Sequence, residues 1–315
     1  MYTISDFIKI PKIDSCKHLS TGMRYSSLVQ WTGFLIPGFT EFKTDKAGSE
    51  DDFKRRKEVA DFARQRIASA HDILLLLCYS ISESVQENIK VLNGTINVDF
   101  LSLCKSATEF LDIIKSASEK YADKTKVRPF LGINSDKENN LHLADMILDS
   151  GLFAGIELAG ERFIQEPEKF LTIFNTARKM GIEARIACLG FRNSDDEKYI
   201  LEIVQNLKPS TLLNPNITSK KIQSALIYDK KRMESTIKSL KSSGVKIDFS
   251  PAPLLSGDKE TEKLQIIRSF VDADIPVHFC TEDVLYLNKS ISEFAADLCN
   301  SGLFSKEEVE ALIKA

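Results

Sequence analysis

Two side chains near the start of the chain could grip a common ligand. Cys16 and His18 lie in the stretch Ile10-Pro11-Lys12-Ile13-Asp14-Ser15-Cys16-Lys17-His18-Leu19-Ser20-Thr21-Gly22. If residues 13–19 form a strand, side chains two apart share a face, so Cys16 and His18 point together and Lys17 points away. A thiolate beside an imidazole suits a zinc-like ion. Two ligands do not complete a site, and the same pair also packs well as a buried thiol beside a hydrogen-bonded histidine. Further ligands must come from distant strands.

Composition bounds what can hold them. The 315 residues are 43% hydrophobic and 28% charged, enough for one large α/β domain or two small ones and too apolar for a disordered chain. Forty-two basic against 45 acidic residues, with no long basic run, argue against a nucleic-acid partner. The six cysteines (16, 78, 104, 188, 280 and 299) include no CxxC pair, and the N-terminus lacks a secretory leader pattern, so a reducing, cytoplasmic setting is expected. The longest apolar run, Ile73 to Cys78, is too short to cross a bilayer, and no membrane partner is expected.

Short β-branched or leucine-rich runs alternate with longer amphipathic stretches. Strands are expected at 13–19, 73–79, 127–133, 155–158, 182–189, 211–213, 245–250 and 276–279. The run Ile73 to Tyr79 reads as a strand buried on both faces. Helices are expected at 27–39, ended by Pro37-Gly38, and at 52–71, 100–121, 142–150, 167–180, 195–206, 233–243 and 260–272, with terminal helices from Ser290. Gly181 and Gly244 close two of them. Lys54, Arg55, Arg56 and Lys57 read as a solvated face, and Trp31, Phe34 and Phe39 as a packed or lid-forming helix.

Eight strands separated by helices predict a (β/α)8 TIM barrel in a single domain over 1–315, with a lid-like helical insertion at about 24–66 covering the C-terminal face. Neither GxGxxG nor GxxxxGK[ST] occurs, so chemistry must sit at the strand C-termini. Those ends read Cys16-x-His18, Glu157-Leu-Ala-Gly160-Glu161, Cys188-Leu-Gly190, Asn214-Pro-Asn216, Ser250-Pro251-Ala-Pro253 and Cys280-Thr-Glu282-Asp283. His71 and His142 read as surface histidines, and His278 as a satisfied core histidine.

These ends resemble the adenosine deaminase-like branch of the amidohydrolase superfamily. Pro11-Lys12-Ile13-Asp14 before Cys16-Lys17-His18-Leu19 is similar to P-K-[VI]-E-L-H-x-H-L, and Gly155 to Glu161 to G-[IV]-D-L-A-G-x-E. Gly181-Ile182 through Cys188-Leu189-Gly190-Phe191 stands where G-L-x-x-T-x-H-A-G-E does, Asp248-Phe249-Ser250-Pro251 where E-[VF]-C-P does, and Cys280-Thr281-Glu282-Asp283, followed by Ser290-Ile291-Ser292, where N-T-D-D-P and its later S-L-S do. The resemblance implies a barrel-mouth metal that activates water, and a purine-like substrate.

It also implies departures. Of the metal ligands His18 is kept, with Cys16, Cys188 and Glu282 in place of two histidines and an aspartate. The acid/base glutamate is Phe191, or Gly190 in an alignment shifted by one, and neither transfers a proton. The strand-six histidine is Asn214, and the sugar-contacting aspartate is Ser20. The purine-facing Gly160 and Asp283 remain. Expected, therefore, is a protein that binds a purine nucleoside or similar heterocycle through Gly160, Asp283 and Ser20, with standard hydrolytic deamination lost or replaced. Two alternatives stand beside it: an active deaminase or related hydrolase with a zinc site of Cys16, His18, Cys188 and Glu282, and a non-catalytic scaffold. Catalysis by a cysteine nucleophile (Cys16, Cys188 or Cys280) with His18 or His278 as base is a further possibility. The cofactor is one zinc ion or none.

Overall fold

The computed structural model describes residues 1–33, 58, 61–188, 196–215, 220–222, 225–227, 230–251, 260–287 and 289–314. Eight strands are hydrogen-bonded in the order β1 (Lys12–His18), β2 (Ile89–Asn97), β3 (Lys126–Asn134), β4 (Gly155–Ala159), β5 (Glu183–Ala187), β6 (Thr211–Leu213), β9 (Lys246–Phe249) and β10 (Val277–Phe279). They form the nearly closed parallel sheet of a (β/α)8 barrel. A two-stranded antiparallel hairpin, β7 (Lys220–Ile222) with β8 (Ala225–Ile227), is an addition that the sequence pattern did not suggest. By contact density the chain divides into two compact units, Met1–Phe130 with Phe279–Ala315, and Leu131–His278.

In the first unit, α1 (Tyr25–Thr32) ends on Gly33, whose φ of 70° supplies the left-handed cap. Trp31 lies in this helix; Phe34 and Phe39, and with them residues 34–57 and 59–60 of the expected lid, fall outside the described residues. The expected helix over 52–71 is interrupted: residues 61–65 are helical, 66–69 are not, and α2 (Ala70–Gln86) then begins. That helix overturns the strand expected at 73–79. Ser69 caps it by accepting from the Asp72 amide, and the buried positions Ile73, Leu76, Leu77, Ser80, Ile81 and Ser84 follow the helical period. A bare run of leucines fits either element, and the cap with the period decides.

The second strand is β2, sixteen residues later, where Asn93, Gly94 and Asn97 disguise it as a turn. They are there for contact. Asn93 donates its amide to the Ser15 carbonyl at 3.2 Å, and a Cβ on Gly94 would lie 2.7 Å from Leu19 Cδ1. The unit continues through α3 (Ala107–Glu119), which a separate 3-10 turn at Val98–Leu103 precedes, so the single helix expected over 100–121 is two. After β10 come α10 (Val284–Leu287), α11 (Ile291–Asn300) and α12 (Lys306–Ile313). Capping boxes at Ser290 and Ser305 start the last two.

The second unit carries α4 (Asn140–Ile147), α5 (Arg162–Gln165), α6 (Leu171–Met180), α7 (Asp196–Leu207), α8 (Lys230–Ser243) and α9 (Glu260–Asp272) between its strands. Gly181 and Gly244, at φ of 70° and 72°, end α6 and α8 as expected. Phe249 of β9 packs its ring 5.7 Å from Phe270 of α9, which turns the neighbouring Asp248 to the opposite face of the sheet.

Candidate functional site

In the first unit the end of β1 meets the chain just past β10. Cys16 is fully buried and His18 half-buried, while Lys17 turns outward and donates to Ser84 Oγ on α2 at 2.9 Å. Cys16 and His18 therefore lie together with Lys17 turned away, as expected, but the pairing of β1 with β2 is irregular between Asp14 and Lys17, so Asp14 does not share their side. The Cys16 Sγ and a His18 ring nitrogen lie within 4.8 Å of each other.

The backbone of Glu282 ties the two segments together: its N–H donates to the Cys16 carbonyl and its carbonyl accepts from the His18 N–H, both at 2.8 Å. Glu282 sits at φ 52°, a left-handed conformation that costs a side-chain-bearing residue on the order of 1 kcal/mol or more and is held here by those two bonds. Ligand atoms of His18, Glu282 and Asp283 all lie within 4.8 Å of one another.

Asp283 Oδ1 lies 3.1 Å from His18 Nδ1 and also accepts a short hydrogen bond from Thr21 Oγ1. Burial pushes the Asp283 carboxyl up, but the His18 charge and the bonds from His18 and Thr21 outweigh it and leave the group below its ordinary value. Ser20, likewise buried, receives the Asn97 amide at 3.5 Å. Cys16, His18, Glu282, Asp283 and Ser20 are thus five expected site residues found in this unit, the first four clustered at the end of β1.

On the outward side of β1 lies a buried charge network. Asp14 accepts from the Thr281 amide at 3.0 Å and from its hydroxyl at 2.6 Å. Burial raises its carboxyl to about 6 despite Lys17 and those bonds, and burial likewise lowers the Lys17 ammonium against the pull of Asp14, Glu83 and Glu87. With Arg24, Glu87 and Ser290 these groups line a cavity whose free space, about 10 Å³, is that of a single water.

The second unit holds the remaining expected residues. Gly160 follows β4 at φ 101°, and a Cβ there would fall 2.5 Å from Ser135 Oγ and 2.9 Å from Asn134 Oδ1, so only glycine fits. Asp136 braces the same turn by accepting from the Glu161 and Arg162 amides, each at 2.9 Å. Cys188 is buried just past β5, its amide bonded to the Leu213 carbonyl and its thiol directed at the Ile186 carbonyl of its own strand. Asn214, at φ 48°, spends its amide on Ser250: Nδ2 donates to Ser250 Oγ at 2.8 Å and Oδ1 accepts from the Ser250 N–H at 2.9 Å. Gly190 and Phe191 fall outside the described residues.

His71 and His142 are exposed, as expected. His278 corrects the core reading: its side chain is 41% exposed, with Nδ1 3.4 Å from Asp248 Oδ1. Strand alternation places it opposite Phe279, which packs on Phe294 of α11. All six cysteines are free thiols, and no described helix is long and apolar enough to cross a membrane. Thr21 and the Asn214–Ser250 pairing were not anticipated. Their partners are 262 and 36 residues away, and no local pattern announces either.

No family model matches the chain. A protein of Treponema pallidum (strain Nichols) that carries the provisional name adenosine/adenine deaminase is 24% identical over 308 residues, 96% of each chain. The chain resembles the adenosine deaminase-like branch of the amidohydrolase superfamily over nearly its whole length. Among solved structures, the Arabidopsis N6-methyl-AMP deaminase superposes with a TM-score of 0.71 at 17% identity, covering 98% of this chain and 92% of that one. An amidohydrolase from Burkholderia ambifaria with bound zinc gives 0.65 at 13% identity, covering 99% and 91%. The adenosine deaminase-like likeness inferred from the strand ends, and the barrel, both stand.

Proposed function

We propose that this protein binds a purine nucleoside or a similar purine heterocycle and deaminates adenosine no faster than background. The observation that carries this is the Asn214–Ser250 pairing. Where the resemblance places a histidine that helps hold the attacking water, the side chain has both ends of its amide committed to a neighbouring strand. Phe191, or Gly190, at the acid/base position removes the proton carrier as well.

Recognition groups persist beside that loss. Gly160 offers a backbone donor in a turn that excludes a side chain, Ser20 a hydroxyl, and Asp283 a carboxylate whose Oδ2 is left for the ring while Oδ1 serves His18 and Thr21. The names of the relatives, an adenosine/adenine deaminase and an N6-methyl-AMP deaminase, support a purine as the ligand class.

Calorimetry and thermal shift over a panel of purines and pyrimidines, alongside an ammonia assay, test this reading. Measurable purine affinity is expected without ammonia release, since losing a general acid/base costs about 10²- to 10⁴-fold in rate. Robust deamination of adenosine by the unmodified protein overturns the proposal, and a panel without any binder favours a scaffold. Asp283→Ala should weaken a purine by about 1 to 3 kcal/mol if its carboxylate is a buried partner of the ligand, and by almost nothing otherwise.

The clustered donors of the first unit favour a second reading. A soft thiolate, an imidazole and carboxylates are a donor set that fits zinc, and Cys16, His18 and Glu282 would hold it. Zinc there would act as a Lewis acid in an altered hydrolase. Less than about a tenth of an equivalent of zinc after chelator-free purification and reconstitution would exclude it, because thiolate sites bind tightly at neutral pH.

A further inference from the structure

We propose that Thr21 is a positioning residue whose hydroxyl clamps Asp283 so that the carboxylate takes the proton-bearing Nδ1 of His18 and fixes the tautomer and orientation of the ring. The inference deepens the site reading above and rests on it for its metal arm only.

Three contacts specify the clamp. Thr21 and His18 meet the same oxygen of Asp283, Oδ1, and Thr21 is 1% exposed, so its hydroxyl is shielded from bulk solvent. The Thr21 backbone is held on both sides: its N–H donates to the His18 carbonyl at 3.1 Å, and its carbonyl accepts from the Leu285 amide at 2.7 Å. Thr21 therefore bridges the turn after β1 and the turn into α10, which places its hydroxyl between the imidazole and the carboxylate.

A carboxylate aligned on one ring nitrogen selects the tautomer and orientation of a histidine and raises the basicity of the other nitrogen. A threonine hydroxyl that must donate to Oδ1 also stops the carboxylate from rotating away. Asp283 is thereby committed through Oδ1 to His18 before any ligand arrives.

The test reads the tautomer directly. The apo protein is labelled with ¹⁵N-histidine and its ring nitrogens are recorded at a pH of about 9, well above the ordinary imidazole value of ~6.5, with zinc affinity measured separately by chelator competition. His18 in the wild-type protein should be a single Nδ1–H tautomer. Thr21→Val, which keeps the shape and removes the donor, should give mixed tautomers and about 10- to 100-fold weaker zinc binding, and Thr21→Ser should restore both. An Nε2–H tautomer in the wild-type protein overturns the proposal without recourse to any variant. So does a Thr21→Val protein that keeps one Nδ1–H tautomer. If no form binds zinc while the tautomers shift as described, the metal reading fails and the clamp stands.

Discussion

The end of β1 with the segment past β10, and the ends of β5, β6 and β9, use their polar groups in opposite ways. In the first region, four groups with ligand chemistry converge, cross-linked by the Glu282 backbone and by the Thr21–Asp283–His18 contacts. In the second, polar groups at equivalent strand ends close on one another: Asn214 on Ser250, the Cys188 thiol on its own strand, and Lys263 on the Ser250 carbonyl at 2.6 Å. A side chain whose hydrogen-bonding capacity is met within the protein stabilises the fold but offers little to a substrate. Side chains with ligand chemistry lie together in one region, and polar groups bond within the protein in the other.

Mutation should separate the two. The largest effect is expected at Lys17, the buried cation behind the first region. Lys17→Met removes the buried cation that Asp14, Glu83 and Glu87 all face, leaving Arg24 beside the glutamates, and should cost about 3 to 5 kcal/mol in denaturant unfolding. A loss under ~1 kcal/mol would mean that the network is not held together by that charge.

Asn214→Ala comes next. It removes the acceptor of the buried Ser250 amide and a donor to the Ser250 hydroxyl, so stability should fall by about 1 to 3 kcal/mol while purine affinity stays within about twofold. Should affinity collapse while stability holds, Asn214 belongs to the ligand site and the contrast drawn between the regions is wrong.

The smallest effect is assigned to Cys188. Cys188→Ala removes a small buried thiol, for which about 1 kcal/mol is expected, the scale of a lost buried methylene-sized group. Zinc titration of the same variant sharpens the comparison: unchanged affinity places the donors in the first region alone, whereas a large loss makes Cys188 a fourth ligand.

The sequence by itself determined the class of fold and most of the residues worth examining. Strand and helix periods, glycine stops and strand-end motifs follow local rules, and Gly181, Gly244, Cys16 and His18 stand as those rules require. Even the strand count was legible, although the second strand was misplaced. A leucine run carries no period of its own, and β2 takes Asn93 and Gly94 for contacts with Ser15 and Leu19 that only the folded barrel creates. Tertiary structure alone decided which partners the site residues meet. Asp283 and His18 are 265 positions apart, so no spacing rule reports that one orients the other, or that Thr21 holds both. Likewise, asparagine at position 214 is chemically able to face a ligand or a neighbouring strand, and the choice is made by where the backbone of Ser250 lies. Residue type sets what a side chain can bind, whereas the partner that reaches it first is a property of the fold.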